Sequence, residues 1–164
     1  KPLVDFAKSK NIAVVATNIP RRYASMVYKN DFAALDNLSQ EEKNWIAPLP
    51  IKYDPNLPGY KNMLTMMGDH PNEKLPKAQA IKDATMAYFI LKNYQPNNQL
   101  IHFNGSYHSD NFEGIYWYLK QEQPHLKIGT IATVSQDDLE TLSKDHVGKA
   151  DFIIVVHSNM TKTF

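Results

Sequence analysis

The apolar positions of the chain follow two patterns, short continuous runs and longer stretches with a helical period. The runs lie at roughly residues 11–17, 100–104, 127–134 and 152–157, and they are typical of strands buried in a sheet. The helical period is clearest over residues 77–94, which predicts a helix. Its apolar face is marked by Ala78, Ile81, Ala84, Tyr88 and Leu91. Two further pairs have the spacing of a capping box that opens a short helix, Ser39 with Glu42 and Ser135 with Asp138.

Strand and helix patterns alternate along the chain, which predicts an α/β fold. We expect a mainly parallel sheet covered by helices on both faces, in a single domain over residues 1–164. Residues 45–73 are the exception, because their first part is rich in proline and excludes a long helix or a central strand. The apolar side chains in this segment need a surface to pack on, so we interpret it as a lid-like segment rather than a domain linker.

Composition narrows the function classes without naming one. The formal net charge of +1 argues against a nucleic-acid binder and against a polybasic membrane-surface protein. The chain has no cysteine, which excludes disulfides and thiolate metal sites. Its supply of histidine, tyrosine and methionine fits a haem or metal site and fits an ordinary core equally well.

The loop after the second apolar run carries the most chemistry. Gly105, Ser106, Tyr107 and His108 lie between a predicted strand and a helix predicted over residues 112–121, which Asp110 and Glu113 would open as a capping box. In an open α/β sheet such a loop lies at the carboxyl edge of the strands, where ligands bind. An imidazole and a phenol there can bind metal, coordinate haem iron or move protons. The alternative is a capped turn with an incidental histidine.

The first apolar run leads into two arginines. Asn18 is positioned to cap a helix whose first turn holds Pro20, Arg21 and Arg22. Cations oppose the macrodipole at a helix N-terminus, so two of them there indicate a bound anion such as a carboxylate, a phosphate or a haem propionate. Two solvated surface arginines are the alternative. Parallel strands would bring Arg21, Arg22, Tyr107 and His108 to one edge.

Two helical faces add candidates. Over residues 60–70 the spacing places Met63, Met66, Met67 and His70 on one side, as either a soft apolar face or a face lining haem. In the helix over residues 77–94, Asp83 lies on a second stripe with Gln79 and Met86. Its carboxylate either pairs with a neighbouring lysine or points into a site.

These segments together resemble a known family, the ChaN-like haem-binding uptake proteins of the wider Tiki/EreA/ChaN superfamily. Residues 16–22 resemble its "A-x-N-x-P-R" segment, and residues 78–87 resemble its "A-Q-x-x-x-D-x-x-M-A" helix. Residues 104–108 are similar to its "G-x-x-H" loop, and Gly114-Ile115 fits the "G-I" that follows. Ala150-Asp151 before the last strand also fits, so the likeness extends over nearly the whole chain.

The resemblance implies an envelope-associated, often lipid-anchored bacterial protein that binds haem in iron acquisition, as a binding protein rather than an enzyme. It implies haem held between two protomers by a tyrosinate, for which Tyr107 is our first candidate. It also implies an upstream strand with a "G-E-x-H" motif. Since these residues contain no such motif, we expect part of the domain, part of the site and any lipid anchor to lie before Lys1.

The same superfamily contains hydrolases, which gives a second hypothesis. His108 would then act as a general base or would ligate a divalent metal, and Arg21 would hold a substrate carboxylate or stabilise an oxyanion. Under either hypothesis the ligand is haem or another small anionic molecule. The predicted ligand-binding residues are Asn18, Arg21, Arg22, His70, Asp83, Gly105, Tyr107 and His108.

Overall fold

The structure is a computed structural model that describes residues 2–65 and 72–161. Six α-helices and two strands are present in these ranges. In chain order they are α1 (Pro2–Ser9), α2 (Arg21–Asn30), α3 (Gln40–Lys43), α4 (Pro58–Thr65), α5 (Lys74–Asn93), α6 (Ile115–Glu122), β1 (Ile131–Gln136) and β2 (Phe152–His157). Short 3₁₀ turns lie at Phe32–Leu35, Ser106–His108, Asp110–Phe112 and Lys144–His146. The helix predicted over residues 77–94 is therefore confirmed, beginning three residues earlier.

Helix α5 is the centre of the fold. It packs against α2, α4 and α6, and its own buried residues belong to all three hydrophobic clusters. Ala78 and Ile81 pack with α2, Ala80 packs with α4, and Ala84 and Ile90 pack with α6. A helix that packs on several sides buries residues on several sides, and the buried residues of α5 therefore include the polar Gln79 and Asp83 of its second stripe.

The two strands pair in parallel, with Ile131 opposite Phe152 and Gln136 opposite His157. The mixed α/β class and the parallel pairing are thus confirmed. Ala132 and Val134 point into the protein, whereas Ile131 and Phe152 on the opposite face are each 67 % exposed. The prediction of helices on both faces stays a prediction, as does the single domain over residues 1–164.

Two predicted strands are absent from the part of the chain that is described. Residues 11–17 and 100–104 form neither helix nor strand. A hydrogen bond of 2.8 Å between Thr17 Oγ1 and His102 Nε2 nevertheless brings the two segments together. An apolar run shows that a segment is suited to a sheet, but a strand forms only where a neighbouring backbone supplies the ladder of hydrogen bonds, and the run does not encode that neighbour.

Only one of the predicted helix caps forms. Ser39 and Glu42 make the predicted capping box at α3. Asn18 does not cap α2, which begins at Arg21 after Pro20 without a side-chain cap. A cap at Ser135, which the spacing to Asp138 also suggests, was wrong, because Ser135 lies within β1. The prediction for Asp110 and Glu113 was also wrong, since α6 begins only at Ile115.

The proline-rich segment is held in place along residues 47–59. The amide of Ala47 donates to Thr85 Oγ1 at 3.2 Å, and the hydroxyl of Tyr118 donates to the carbonyl of Lys52 at 2.7 Å. The amide of Gly59 donates to Glu113 Oε2 at 2.6 Å. These bonds tie the segment to α5, α6 and the loop before α6. No helix in the described ranges is both long enough and apolar enough to cross a membrane.

Candidate functional site: a buried carboxylate and a loop histidine

Asp83 is the buried acidic residue around which the site is built. It lies in the middle of α5, its side chain is 0 % exposed, and Gln79 one turn earlier is 8 % exposed. Residues four apart share one side of a helix, so both side chains face the same way. A charged group in such a place needs hydrogen-bonding partners. The structure supplies them from α4 and from the loop before α6.

The first partner is His108, at the end of the 3₁₀ turn Ser106–His108. Its Nδ1 lies 2.5 Å from Asp83 Oδ1, and its side chain is 17 % exposed. A carboxylate oxygen can only accept, so this contact favours the tautomer with the proton on Nδ1. The nitrogen Nε2 of Gln79 lies 2.8 Å from the same Nδ1. An amide nitrogen only donates, so a protonated Nδ1 requires the Gln79 amide to turn its oxygen toward the imidazole. With Nδ1 protonated, Nε2 keeps its lone pair.

The second partner is Tyr60 of α4, whose hydroxyl donates to Asp83 Oδ2 at 3.0 Å. Burial, together with the nearby Asp83 charge, raises the pKa of Tyr60, so the phenol stays a proton donor throughout the physiological range. Both carboxylate oxygens of Asp83 therefore have a partner. This fixes the orientation of the carboxylate and, through it, the orientation of the imidazole.

Burial dominates the ionisation of Asp83. Removal from water raises its pKa, and the hydrogen bond from His108, the charge of His108 and the hydrogen bond from Tyr60 oppose that rise without cancelling it. The folded state therefore binds the Asp83 proton more tightly than the unfolded chain does. The pair is suited to holding a proton between a carboxylate and an imidazole.

This shift predicts a pH dependence of stability with a definite sign. Because the pKa of Asp83 is raised on folding, its ionisation lowers the free energy of unfolding as pH rises above the unfolded value of about 3.9. Asp83→Asn removes that component. We expect the stability of the variant relative to wild type to increase as pH rises above about 4, by at most about 1.4 kcal/mol per pH unit. Urea unfolding at several pH values measures it.

A second aspartate provides the control of opposite sign. Hydrogen bonds from the amide and hydroxyl of Thr130 lower the pKa of Asp151. Its contribution to stability is present above the unfolded pKa and is lost as pH falls, so Asp151→Asn should lose stability relative to wild type as pH rises. Parallel pH profiles for the Asp83 and Asp151 variants would contradict the assignment.

Gly114 allows the loop before α6 to lie close to Asp83 and His108. Its φ is +53°, and a Cβ built there would lie 2.4 Å from the carbonyl oxygen of His108 and 3.3 Å from Asp83 Oδ2. Asn111 and Phe112 also have positive φ, 59° and 60°. Such backbone is costly for residues with side chains and concentrates at functional sites. The bend lets the histidine loop fold back onto α5.

The other predicted site residues lie in different environments. Gly105 precedes the histidine turn, and Tyr107 within the turn is 57 % exposed. Arg22 contacts the Tyr23 hydroxyl at 2.5 Å and Glu42 at 3.9 Å. Asn18 and Arg21 are exposed; in the described part of the chain Arg21 has no side-chain hydrogen bond or ion pair. His70 lies outside the described residues.

The structure thus joins Asp83 and His108, and no described contact joins either of them directly to the arginines. Thr17 gives an indirect link, because it contacts His102 in the apolar run over residues 100–104, which leads to the histidine loop. Four residues span at most about 14 Å, so Arg21 lies within that distance of Thr17, Cα to Cα. Arg21 and His108 on one rim stays a prediction.

Sequence reasoning missed Tyr60 and Glu113 as site residues. Tyr60 lies in the sequence segment 60–70, where the methionines and His70 are the conspicuous residues, and the hydrogen bond from Tyr60 to α5 has no local signal in the sequence. Glu113 has the spacing of a capping residue, whereas its carboxylate reaches the amide of Gly59, 54 positions away in sequence. A buried aspartate does indicate that donors must exist nearby, but it does not identify them.

Metal chemistry has a limited donor set here. Within residues 2–65 and 72–161 no group of three or more His, Cys, Asp or Glu side chains is arranged to hold a metal ion. A single imidazole whose other nitrogen bonds a carboxylate is, however, the arrangement commonly found behind a histidine ligand. The residues present can therefore supply one histidine ligand to a metal whose other ligands come from its own cofactor, as the porphyrin of haem supplies them to iron.

Comparison with known proteins gives the relationship of the chain. No curated protein and no solved structure matches it. Residues 1–119 match the family model described as haem-binding uptake, Tiki superfamily, ChaN, and this range includes Tyr60, Gln79, Asp83, His108 and Gly114. The match spans well over half of the chain. The chain therefore belongs to the ChaN family of haem-binding uptake proteins in the Tiki superfamily.

Proposed function

We propose that the chain binds haem through His108, with Nε2 as the nitrogen that ligates iron. The observation that carries the proposal is the 2.5 Å contact between His108 Nδ1 and the buried Asp83 carboxylate. A carboxylate behind an imidazole fixes its tautomer and raises its basicity as a ligand. Haem, when bound, would supply the iron; the protein would supply an oriented lone pair and a largely buried proton on the opposite nitrogen.

Anion recognition falls to Arg21 rather than Arg22. The guanidinium of Arg22 contacts Tyr23 and Glu42, whereas Arg21 lies exposed in the first turn of α2 without such a bond in the described residues. An arginine there combines a fork of donors with the free backbone amides of a helix N-terminus. We propose that Arg21 pairs with a haem propionate.

The wider role that we propose is iron or haem acquisition at the bacterial cell envelope. Family membership supports it. A lipid anchor upstream of Lys1 and a homodimer that shares haem are parts of the same proposal. Tyr107, exposed beside His108, is the phenol that we propose as the second candidate iron ligand.

The experiment is a titration of the purified protein with haemin, followed in the Soret region. We expect a shifted, saturable Soret band for wild type. Because His108 would supply the iron ligand, His108→Ala should weaken affinity by about 100-fold or more. His125→Ala, at an exposed histidine, is the matched control. Tyr107→Phe reports on the phenol. A wild-type spectrum that never departs from that of free haemin would refute haem binding by this chain.

A hydrolase is the alternative that the same pair of residues supports. Asp83 orients His108 as an acidic residue orients a general base, with Nε2 available to take a proton from water. This alternative predicts hydrolysis of an ester or peptide that is lost in His108→Ala, without a Soret shift in wild type. Turnover that is equal in wild type and His108→Ala would exclude it.

A further inference from the structure

A second histidine, His102, lies in a chain of hydrogen bonds that ends on the loop carrying His108. Its Nε2 lies 2.8 Å from Thr17 Oγ1, and its Nδ1 lies 3.1 Å from Asn104 Oδ1. The Asn104 amide nitrogen donates to the carbonyl of Gly105 at 2.9 Å and to Ser109 Oγ at 2.8 Å. One asparagine side chain therefore spans the loop from its first residue to its last.

The protons of this chain are determined by its geometry. Both amide hydrogens of Asn104 are directed at oxygen atoms, so its Oδ1 must face His102, and Nδ1 of His102 must carry a proton. When the ring is neutral, its Nε2 then accepts from the hydroxyl of Thr17. Partial burial lowers the pKa of His102, and the hydrogen bond with Asn104, which raises it, does not cancel that effect, so the neutral form is favoured.

The carbonyl of Gly105 connects this chain to the candidate iron ligand. It accepts from the Asn104 amide and also from the backbone amide of His108, at 3.0 Å. The turn Ser106–His108 is also held by its own short-range backbone bonds and, on the side of α5, by the contact of His108 with Asp83. Ser106 and Tyr107 themselves are exposed, and exposed turns change conformation easily. A side-chain bridge across the turn restricts the orientations that the histidine can adopt.

We propose that Thr17, His102 and Asn104 are positioning residues that hold the His108 loop, so that Asp83 fixes the imidazole at Nδ1 and the loop fixes where Nε2 points. The inference rests on the proposed haem-binding function for its consequence on affinity. The claim that these residues restrict the orientation of His108 can be tested without any ligand. The sequence alone indicates no more for His102 and Asn104 than a strand and its end.

The experiment compares Asn104→Ala, Thr17→Val and Thr17→Ser in the full chain. The ligand-free readout is the pair of imidazole ¹⁵N signals of His108. We expect a single tautomer in wild type and in Thr17→Ser, and broadened or averaged His108 signals in Asn104→Ala and Thr17→Val. In the haemin titration, Asn104→Ala should weaken affinity about tenfold, the lower end for residues that orient a ligand. His125→Gln, at an exposed histidine, is the control.

The outcomes separate this inference from the proposed function. Unchanged His108 signals in folded Asn104→Ala and Thr17→Val would overturn it, whatever haemin does. A wild type that ignores haemin, combined with altered His108 signals in these variants, would refute haem binding and support the positioning chain. If Asn104→Ala does not fold, the comparison of Thr17→Val with Thr17→Ser decides, because valine keeps the shape of threonine and serine keeps its hydroxyl.

Discussion

Gly114→Ala is expected to destabilise the protein by more than about 3 kcal/mol, a large part of the stability of a typical domain. Two effects add. The positive φ of +53° is unfavourable for alanine, and its Cβ would lie 2.4 Å from the carbonyl oxygen of His108. Because that oxygen belongs to backbone, relief requires moving the histidine loop away from Asp83. Urea unfolding followed by circular dichroism measures the loss.

Two other glycines separate the contributions. Gly148 has a φ of +81°, and a Cβ added there would meet nothing within 4 Å, so Gly148→Ala tests the backbone effect alone, about 1 kcal/mol. A Cβ added at Gly129 would also meet nothing within 4 Å, and its φ lies outside the left-handed region, so Gly129→Ala should be neutral or slightly stabilising. If Gly114→Ala costs no more than Gly148→Ala, the close approach of the loop to α5 is wrong.

Asp83→Asn is expected to weaken haemin affinity about 10- to 100-fold, the range for a residue that orients a metal ligand. The size of the side chain is kept, but asparagine can present an NH₂ group to Nδ1 of His108. The imidazole would then carry its proton on Nε2, the nitrogen that must be free to bind iron. The Soret titration measures the change, with circular dichroism showing that the fold is retained.

The matched substitution is Asp145→Asn, which makes the same chemical change at an exposed carboxylate. It should leave haemin affinity unchanged. Equal affinities in wild type and Asp83→Asn would show that the tautomer of His108 does not matter for binding. The proposed role of the buried carboxylate would then be lost, while the family relationship would stand.

Local features of the fold could be predicted from the sequence, whereas the pairing of distant segments could not. Helix α5 was predicted because its apolar stripes are a local property of twenty residues. The Ser39–Glu42 capping box was predicted because both partners lie in one turn. The same spacing at Asp110 and Glu113 misled, because Glu113 bonds Gly59 instead. A capping box can be predicted when both partners bond each other within one turn. It cannot be predicted when one side chain bonds a segment that is distant in sequence.

The same holds for the candidate site, where individual residues could be predicted and the contacts between them could not. Asp83 is a candidate in the sequence because it lies on a second stripe of the helix with Gln79 and Met86, and His108 is a candidate because of its loop. Their contact joins residues 25 positions apart and depends on the left-handed bend at Gly114. Tyr60 and the chain from Thr17 through His102 to Asn104 join segments brought together only by folding. No periodicity records such contacts.

A double-mutant cycle in haemin affinity tests most directly whether Asp83 acts through His108. Four proteins are titrated: wild type, Asp83→Asn, His108→Ala and the double variant. If Asp83 acts on haemin only by orienting His108, Asp83→Asn should weaken affinity in the wild-type background and have no further effect once His108 is alanine. A loss of the same size in both backgrounds would contradict that role.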